Sequence, residues 1–329
     1  MGRWLIPLLL LVLVIAAAAS LLAGTVWLRP GEVLAALTDP RPSLAGLIVT
    51  EIRLPRTLLA ILVGGILGLS GAVLQGLLRN PLAEPGLLGV SAGASLGAVI
   101  AIYYGFSTSF VLASPLFALV GASITAGAAL LLARGGGTLA LILAGSAISS
   151  VAYAGVYLAL NLAANPYASF EILTWLMGSL AERNWDHVRL AGPFIVIGGV
   201  VLLLTGPALE ALALGEQQAE SLGIDVGRVR LLALFGTALG VGAATAVAGS
   251  IGFVGLVAPH VVRPLVGHRP GKVLVPATLA GAILVVGADI ATRLVPSAGS
   301  QPIGLGVFIS LVGAPFFLWL VLRIRSRTT

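Results

Sequence analysis

The residues able to do chemistry in this chain of 329 residues are few and widely separated. Twelve acidic and 18 basic residues amount to only 9% of the sequence, with three scattered histidines (His187, His260 and His268) and no cysteine. The missing cysteine excludes disulfides, thiolate nucleophiles and sulfur-ligated metal centres. The histidines form no metal-binding cluster, and His260 and Met177 read as packing residues rather than metal ligands. There are no paired carboxylates and no nucleophile beside a base, so enzymatic chemistry is disfavoured. The nearest approach to a phosphate loop is Gly267-His-Arg-Pro-Gly271-Lys272-Val273. It is one residue short between the glycines and lacks the hydroxyl after lysine. If ATP drives this protein, another chain must bind it.

Three charged constellations remain. Asp289 and Arg293 stand four residues apart, so on a helix they share a face and can pair. A structural pair is the favoured reading, and a proton relay through Asp289 is the alternative. A proton-coupled carrier would more often hold several such carboxylates. The second constellation is Arg53-Leu-Pro-Arg56. The third is the connection 207–228, where Gly215 and Gly223 frame a short amphipathic helix bearing Glu216, Ala219 and Glu220. Such a helix suits a surface that docks on a partner.

The elements that must position these groups are membrane-spanning helices. The chain is 58% hydrophobic with mean hydropathy +1.10, whereas soluble domains carry about 25% charged residues. The apolar residues fall in blocks near the roughly 20 residues that span a bilayer as a helix. Ten-residue alternation, the mark of a membrane barrel, is absent. Ten spans are expected, at about 4–26, 56–78, 87–104, 110–133, 138–163, 189–206, 229–248, 251–266, 273–295 and 302–322. The apolar run that opens the chain is long enough to remain as a spanning helix rather than act as a cleaved signal. With both termini cytoplasmic, 11 Lys and Arg fall inside and seven outside. The net charge of +6 thus reflects topology rather than a nucleic-acid partner. Small residues four apart (Gly64 and Gly68; Gly89, Gly93 and Gly97; Gly236 and Gly240) predict close helix packing. Pro81, Pro85 and Pro259 predict interrupted helices. Gly64, Gly71 and Pro81 recur 178 residues later as Gly242, Gly249 and Pro259, a faint trace of internal repetition.

Five stretches in register carry a resemblance. They are Arg53-Leu-Pro-Arg56 with Gly71 to Gly93 (including Arg79-Asn80-Pro81-Leu-Ala-Glu84-Pro85-Gly86), Leu214 to Gly223, Gly249-Ser-Ile-Gly-Phe-Val-Gly to Pro259-His260-Val-Val-Arg263, Ala288-Asp289 to Arg293, and Pro302-Ile-Gly-Leu-Gly to Pro315. Together they resemble, over nearly the whole chain, the ABC importer permease family that takes up vitamin B12, haem and ferric siderophores. The resemblance implies an all-α, polytopic type II importer permease of about ten transmembrane helices, one domain over 1–329, in the bacterial inner membrane. It implies alternating access and no enzymatic activity or cofactor in this chain, with ATP and Mg bound by a separate ATPase. The implied partners are a second permease subunit as a homodimer, two ATPase subunits and an external substrate-binding protein. The matching positions imply binding-protein docking by Arg53, Arg56 and Arg293. They imply ATPase coupling through Glu216, Ala219 and Gly223, and a cytoplasmic gate at Thr138 and Leu139. The cargo is left open among cobalamin, haem and ferric siderophore.

Overall fold

A computed structural model describes residues 2–24, 26–39, 43–110, 112–134, 136–163, 166–295 and 303–325, so Arg41, Pro302 and Arg327 lie outside the described residues. Among these residues every regular element is helical. Apolar chain in a bilayer must satisfy its own backbone groups, and a helix does so within one segment.

The helices in chain order are α1 (Gly2–Leu22), α2 (Pro30–Thr38), α3 (Leu44–Leu47), α4 (Leu54–Leu77), α5 (Val90–Tyr103), α6 (Phe106–Ser109), α7 (Ala113–Leu132), α8 (Gly137–Asn161) and α9 (Pro166–Leu176). They continue with α10 (Trp185–Leu203), α11 (Gly206–Leu212), α12 (Glu216–Ser221), α13 (Val226–Ala248), α14 (Val254–Val262), α15 (Pro270–Leu294) and α16 (Leu305–Arg325). Among the described residues seven apolar stretches have spanning length, and three shorter ones (Val90–Tyr103, Val254–Val266 and Leu305–Trp319) bring the apolar helices to the expected ten.

The structure departs from the expected spans in three places. The second span does not begin at 56: a widened π turn at Ile48–Arg53 joins α3 to α4, and the helical run covers Leu44–Leu77. The connection 164–188 contains α9, whose 11 residues are too few to cross a bilayer. The eighth span is a half-helix, because 249–253 is irregular before α14 begins.

The core lies around α4, which packs on α15, α14, α10 and α13. Its most apolar stretch is 83% buried, against 6% for α1, so α1 stands at the rim of the bundle. Glycine makes the central contact possible. A Cβ on Gly64 would overlap the Gly281 carbonyl of α15, and one on Gly71 would overlap the Gly255 carbonyl of α14. Backbones that approach this closely gain dispersion contacts that larger side chains would forbid.

Candidate functional site

The two ends of α4 carry the two candidate sites. About 35 Å of helix separates them at 1.5 Å per residue.

At the Arg53 end, the three arginines singled out by the family resemblance come together. Each is committed inside the chain. Arg53 is only 6% exposed. Its guanidinium donates to the carbonyls of Leu21 at 2.7 Å, Leu22 at 2.9 Å and Val26 at 2.5 Å. The last carbonyls of a helix have no partner within it, so Arg53 closes the end of α1 and meets the negative pole of its dipole. Arg293 adds to this cap. Its Nη1 donates to the carbonyls of Ser20 at 2.9 Å and Ala23 at 3.2 Å, and its Nη2 to Ser20 Oγ at 3.2 Å. The Ser20 hydroxyl is also bonded to Thr57 Oγ1 at 2.8 Å.

Asp289 sits at the centre, fully buried. It takes Arg56 Nε at 3.0 Å and Arg56 Nη2 at 2.7 Å on one side, and Arg293 Nη2 on the other. A forked arginine–carboxylate contact is among the stronger polar interactions and is geometrically specific. The pairing of Asp289 with Arg293 was legible from their spacing, whereas the Arg56 contact spans 233 residues of sequence. Held between two guanidiniums, Asp289 is engaged as a structural partner, which agrees with the pairing reading. The Arg56 side chain, at 18% exposure, is more accessible than that of Arg293, at 8%.

At the other end, α11 lies across the foot of α4, with the Leu209 side chain 3.4 Å from the Cβ position of Gly76, and α12 packs on α11 and α13. The local sequence explains the shape. Gly215 precedes α12 at φ 122°, a conformation strained for any other residue. Gly223 ends α12 with φ 82°, its N–H bonded to Glu220 O at 2.9 Å and the Ile224 N–H to Ala219 O at 3.0 Å. That pair of bonds is a Schellman motif. The Asp225 side chain then caps α13 by accepting from the Arg228 N–H at 2.9 Å. Ion pairs fasten the segment on both sides: Glu216 to Arg230 at 3.1 Å and Glu210 to Arg269 at 2.9 Å.

The predicted coupling residues therefore shape this segment rather than form its outer surface. Ala219 is fully buried beneath it, Glu216 is paired within the chain, and Gly223 turns the backbone. Its exposed face is made by Leu214 and Leu222, both about two-thirds exposed, with Gln217, Gln218 and Glu220 between them. Leu214 and Leu222 are thus apolar side chains bared among polar neighbours outside the spans.

Of the expected gate, Thr138 falls in the first turn of α8, but its side chain lies outside the described residues. Leu139 is exposed. Further along α8 is a feature that sequence reading missed. Ser146, Ser150, Tyr153 and Tyr157 follow at steps of 4, 3 and 4 along one face of the helix. All but half-buried Tyr153 are exposed, and the two tyrosine rings stack with centroids 6.4 Å apart. That helical period was the signal that could have found them.

Comparison with known proteins is decisive. Residues 10–323 match the model of the FecCD transport family. The chain belongs to the FecCD transport family. This FecCD-family chain is 41% identical over 327 residues to the vitamin B12 import system permease protein BtuC of Klebsiella pneumoniae, covering 99% of the chain and 95% of that relative. It is 36% identical over 322 residues to the Fe(3+)-citrate import system permease protein YfmE of Bacillus subtilis, covering 96% and 94%. A solved structure described as an inward-facing conformation of a metal-chelate type ABC transporter superposes with TM-score 0.84 at 33% identity, covering 97% of this chain and 98% of that one. The all-helical membrane architecture expected from composition thus stands, and so does the assignment to a transport family rather than an enzyme family.

Proposed function

We propose that this chain is the membrane-spanning permease subunit of an ATP-driven importer for a metal chelate. The observation that carries the proposal is the coupling segment. An apolar, pre-shaped surface of α11–α12 is bared outside the membrane spans and braced by ion pairs, in a chain whose sequence holds no nucleotide loop. A separate ATPase, holding ATP and Mg, docks there and drives the cycle. A second copy of the permease completes the pathway. The hydroxyl and tyrosine face of α8 lines it, because an uncharged polar stripe on a spanning helix is costly against lipid and suited to water.

At the opposite end, the arginine cluster presents net positive charge to an external binding protein, with Arg56 as the accessible contact and Arg53 and Arg293 holding the platform. Charge complementarity of this kind sets register and encounter rate more than affinity. The cell envelope location is the bacterial inner membrane with both termini cytoplasmic, which agrees with the distribution of Arg and Lys. The family relatives named for vitamin B12 and for ferric citrate bracket the cargo as a compact metal complex.

The test is ATP-dependent uptake of cyanocobalamin and of ferric citrate in proteoliposomes holding the permease, its ATPase and its binding protein. Uptake of one of them that stops when the ATPase is left out is the expected result. Uptake that persists without the ATPase overturns the proposal in favour of a secondary carrier.

A further inference from the structure

Proline at position 259 leaves a carbonyl of α14 without its donor. In an uninterrupted helix the Gly255 carbonyl accepts the N–H of residue 259, and proline has none. Water is not at hand in hydrocarbon to replace it. The replacement comes from a neighbouring helix. Gln75 of α4, 3% exposed, donates its Nε2 to the Gly255 carbonyl at 3.1 Å. Its Oε1 accepts from Arg263 Nη2 at 2.6 Å.

The two contacts are not independent. An amide has one accepting and one donating end, and a guanidinium only donates. Arg263 therefore holds the Gln75 oxygen toward itself and turns the amide NH2 toward Gly255. Gly255 lies in the first turn of α14, and Arg263 directly follows its last residue. One side chain of α4 thus grips the broken helix at both ends. The two backbones already touch at Gly71 and Gly255. Six residues beyond Arg263, Arg269 pairs with Glu210 of the coupling segment at 2.9 Å. The chain from Arg263 to Arg269 thus links the Glu210 pair of the coupling segment to Gln75 near the C-terminal end of α4.

We propose that Gln75 is a positioning residue for transport. It supplies the hydrogen-bond donor that Pro259 lacks and, through Arg263, ties α14 to α4 so that both move as one body with the coupling segment. The inference rests on the importer reading above. It has two separable parts, donor replacement and tether.

Gln75 variants made with and without Pro259→Ala separate them, because alanine restores an N–H at 259. Gln75→Met fills the volume but neither donates nor accepts. It lowers the melting temperature of the purified chain, and adding Pro259→Ala raises the melting temperature of Gln75→Met by more than it raises that of the wild-type chain. Gln75→Met with Pro259→Ala still lacks the tether, so ATP-driven uptake of cyanocobalamin or ferric citrate stays at least tenfold below wild type while ATP hydrolysis changes less than twofold. Gln75→Glu with Pro259→Ala keeps an acceptor for Arg263 and transports within threefold of wild type.

Equal transport by the two double variants overturns the tether. A gain from Pro259→Ala that is no larger in Gln75→Met than in the wild-type chain overturns the donor replacement. If the wild-type complex carries neither probe, the chelate-importer reading falls, and the melting temperatures still decide the donor claim.

Discussion

Replacing Asp289 by alanine tests the buried charge cluster directly. The carboxylate is the shared acceptor of Arg56 and Arg293, and its side chain is 1% exposed. Its removal leaves two guanidiniums facing each other in a space that water does not reach. Breaking a buried pair by deleting one partner costs about 3–5 kcal/mol, because the remaining charge keeps its desolvation penalty. At about 2–4 °C per kcal/mol for chains of a few hundred residues, the melting temperature of the detergent-purified permease should fall by roughly 10 °C. Intrinsic fluorescence of the five tryptophans reports the transition.

The chain contains its own control. Asp186 pairs with Arg189 at 3.3 Å, but both side chains are more than half exposed. Exposed pairs of this kind contribute at most about 1 kcal/mol, so Asp186→Ala should melt within about 3 °C of wild type. A double variant, Arg56→Met with Asp289→Met, removes the carboxylate together with its forked partner and should recover part of the loss, since apolar replacement of a buried pair is often neutral. If Asp289→Ala melts no lower than Asp186→Ala, the cluster is not the internal fastening described here.

Further outcomes follow from the same contacts. Arg53→Met strips three carbonyl partners from the end of α1. It should cost about 3 kcal/mol and speed proteolysis near residues 23–29. Gly71→Ala forces a methyl into the Gly255 carbonyl and should abolish recovery of folded protein, whereas Gly127→Ala, with nothing within 4 Å, should express and melt like wild type. Leu222→Asp should lower ATPase co-purification by tenfold or more with no change in melting temperature, because Leu222 is 65% exposed and its loss touches no core contact. Ser150→Leu on α8 should leave assembly intact and slow uptake severalfold, measured against ATP hydrolysis in the same vesicles.

Much of the fold was legible because lipid imposes a coarse, local rule. A block of about 20 apolar residues needs no tertiary information to be read as a span, and the glycine pairs at Gly64 and Gly68 duly lie against Gly281 and Ala277 of α15. What escaped was set by tertiary contacts. The stretch 44–53 reads as a loop because Thr50, Glu51 and Arg53 lower its hydropathy, yet it continues helically into α4. The Trp185 indole N–H packs onto this stretch, donating to the Thr50 carbonyl at 3.0 Å. The helix α9 fell inside an expected connection because its length says nothing about spanning. At the arginine end, residue types were readable but partners were not. Arg53, Arg56 and Arg293 were expected to face outward to a partner, and nothing in the spacing announces that Arg53 would instead close a helix ending some 30 residues earlier. In the segment 207–228 the sequence showed a short helix framed by Gly215 and Gly223, while only the structure separates residues that shape it from residues that face out.

The cap on α1 bears on the order in which the chain is made. The carbonyls at its end exist as soon as α1 enters the membrane, but Arg293 reaches Ala23 across 270 residues of sequence. At synthesis rates of 5–20 residues per second, that interval is roughly 15–50 s. Until then the end of α1 is fastened by Arg53 and by the Ser20–Thr57 hydrogen bond. A nascent or truncated chain that lacks α15 leaves α1 half-secured at the rim of the bundle, open to the proteases that clear incomplete membrane proteins. A helix made late thus completes the fastening of one made early.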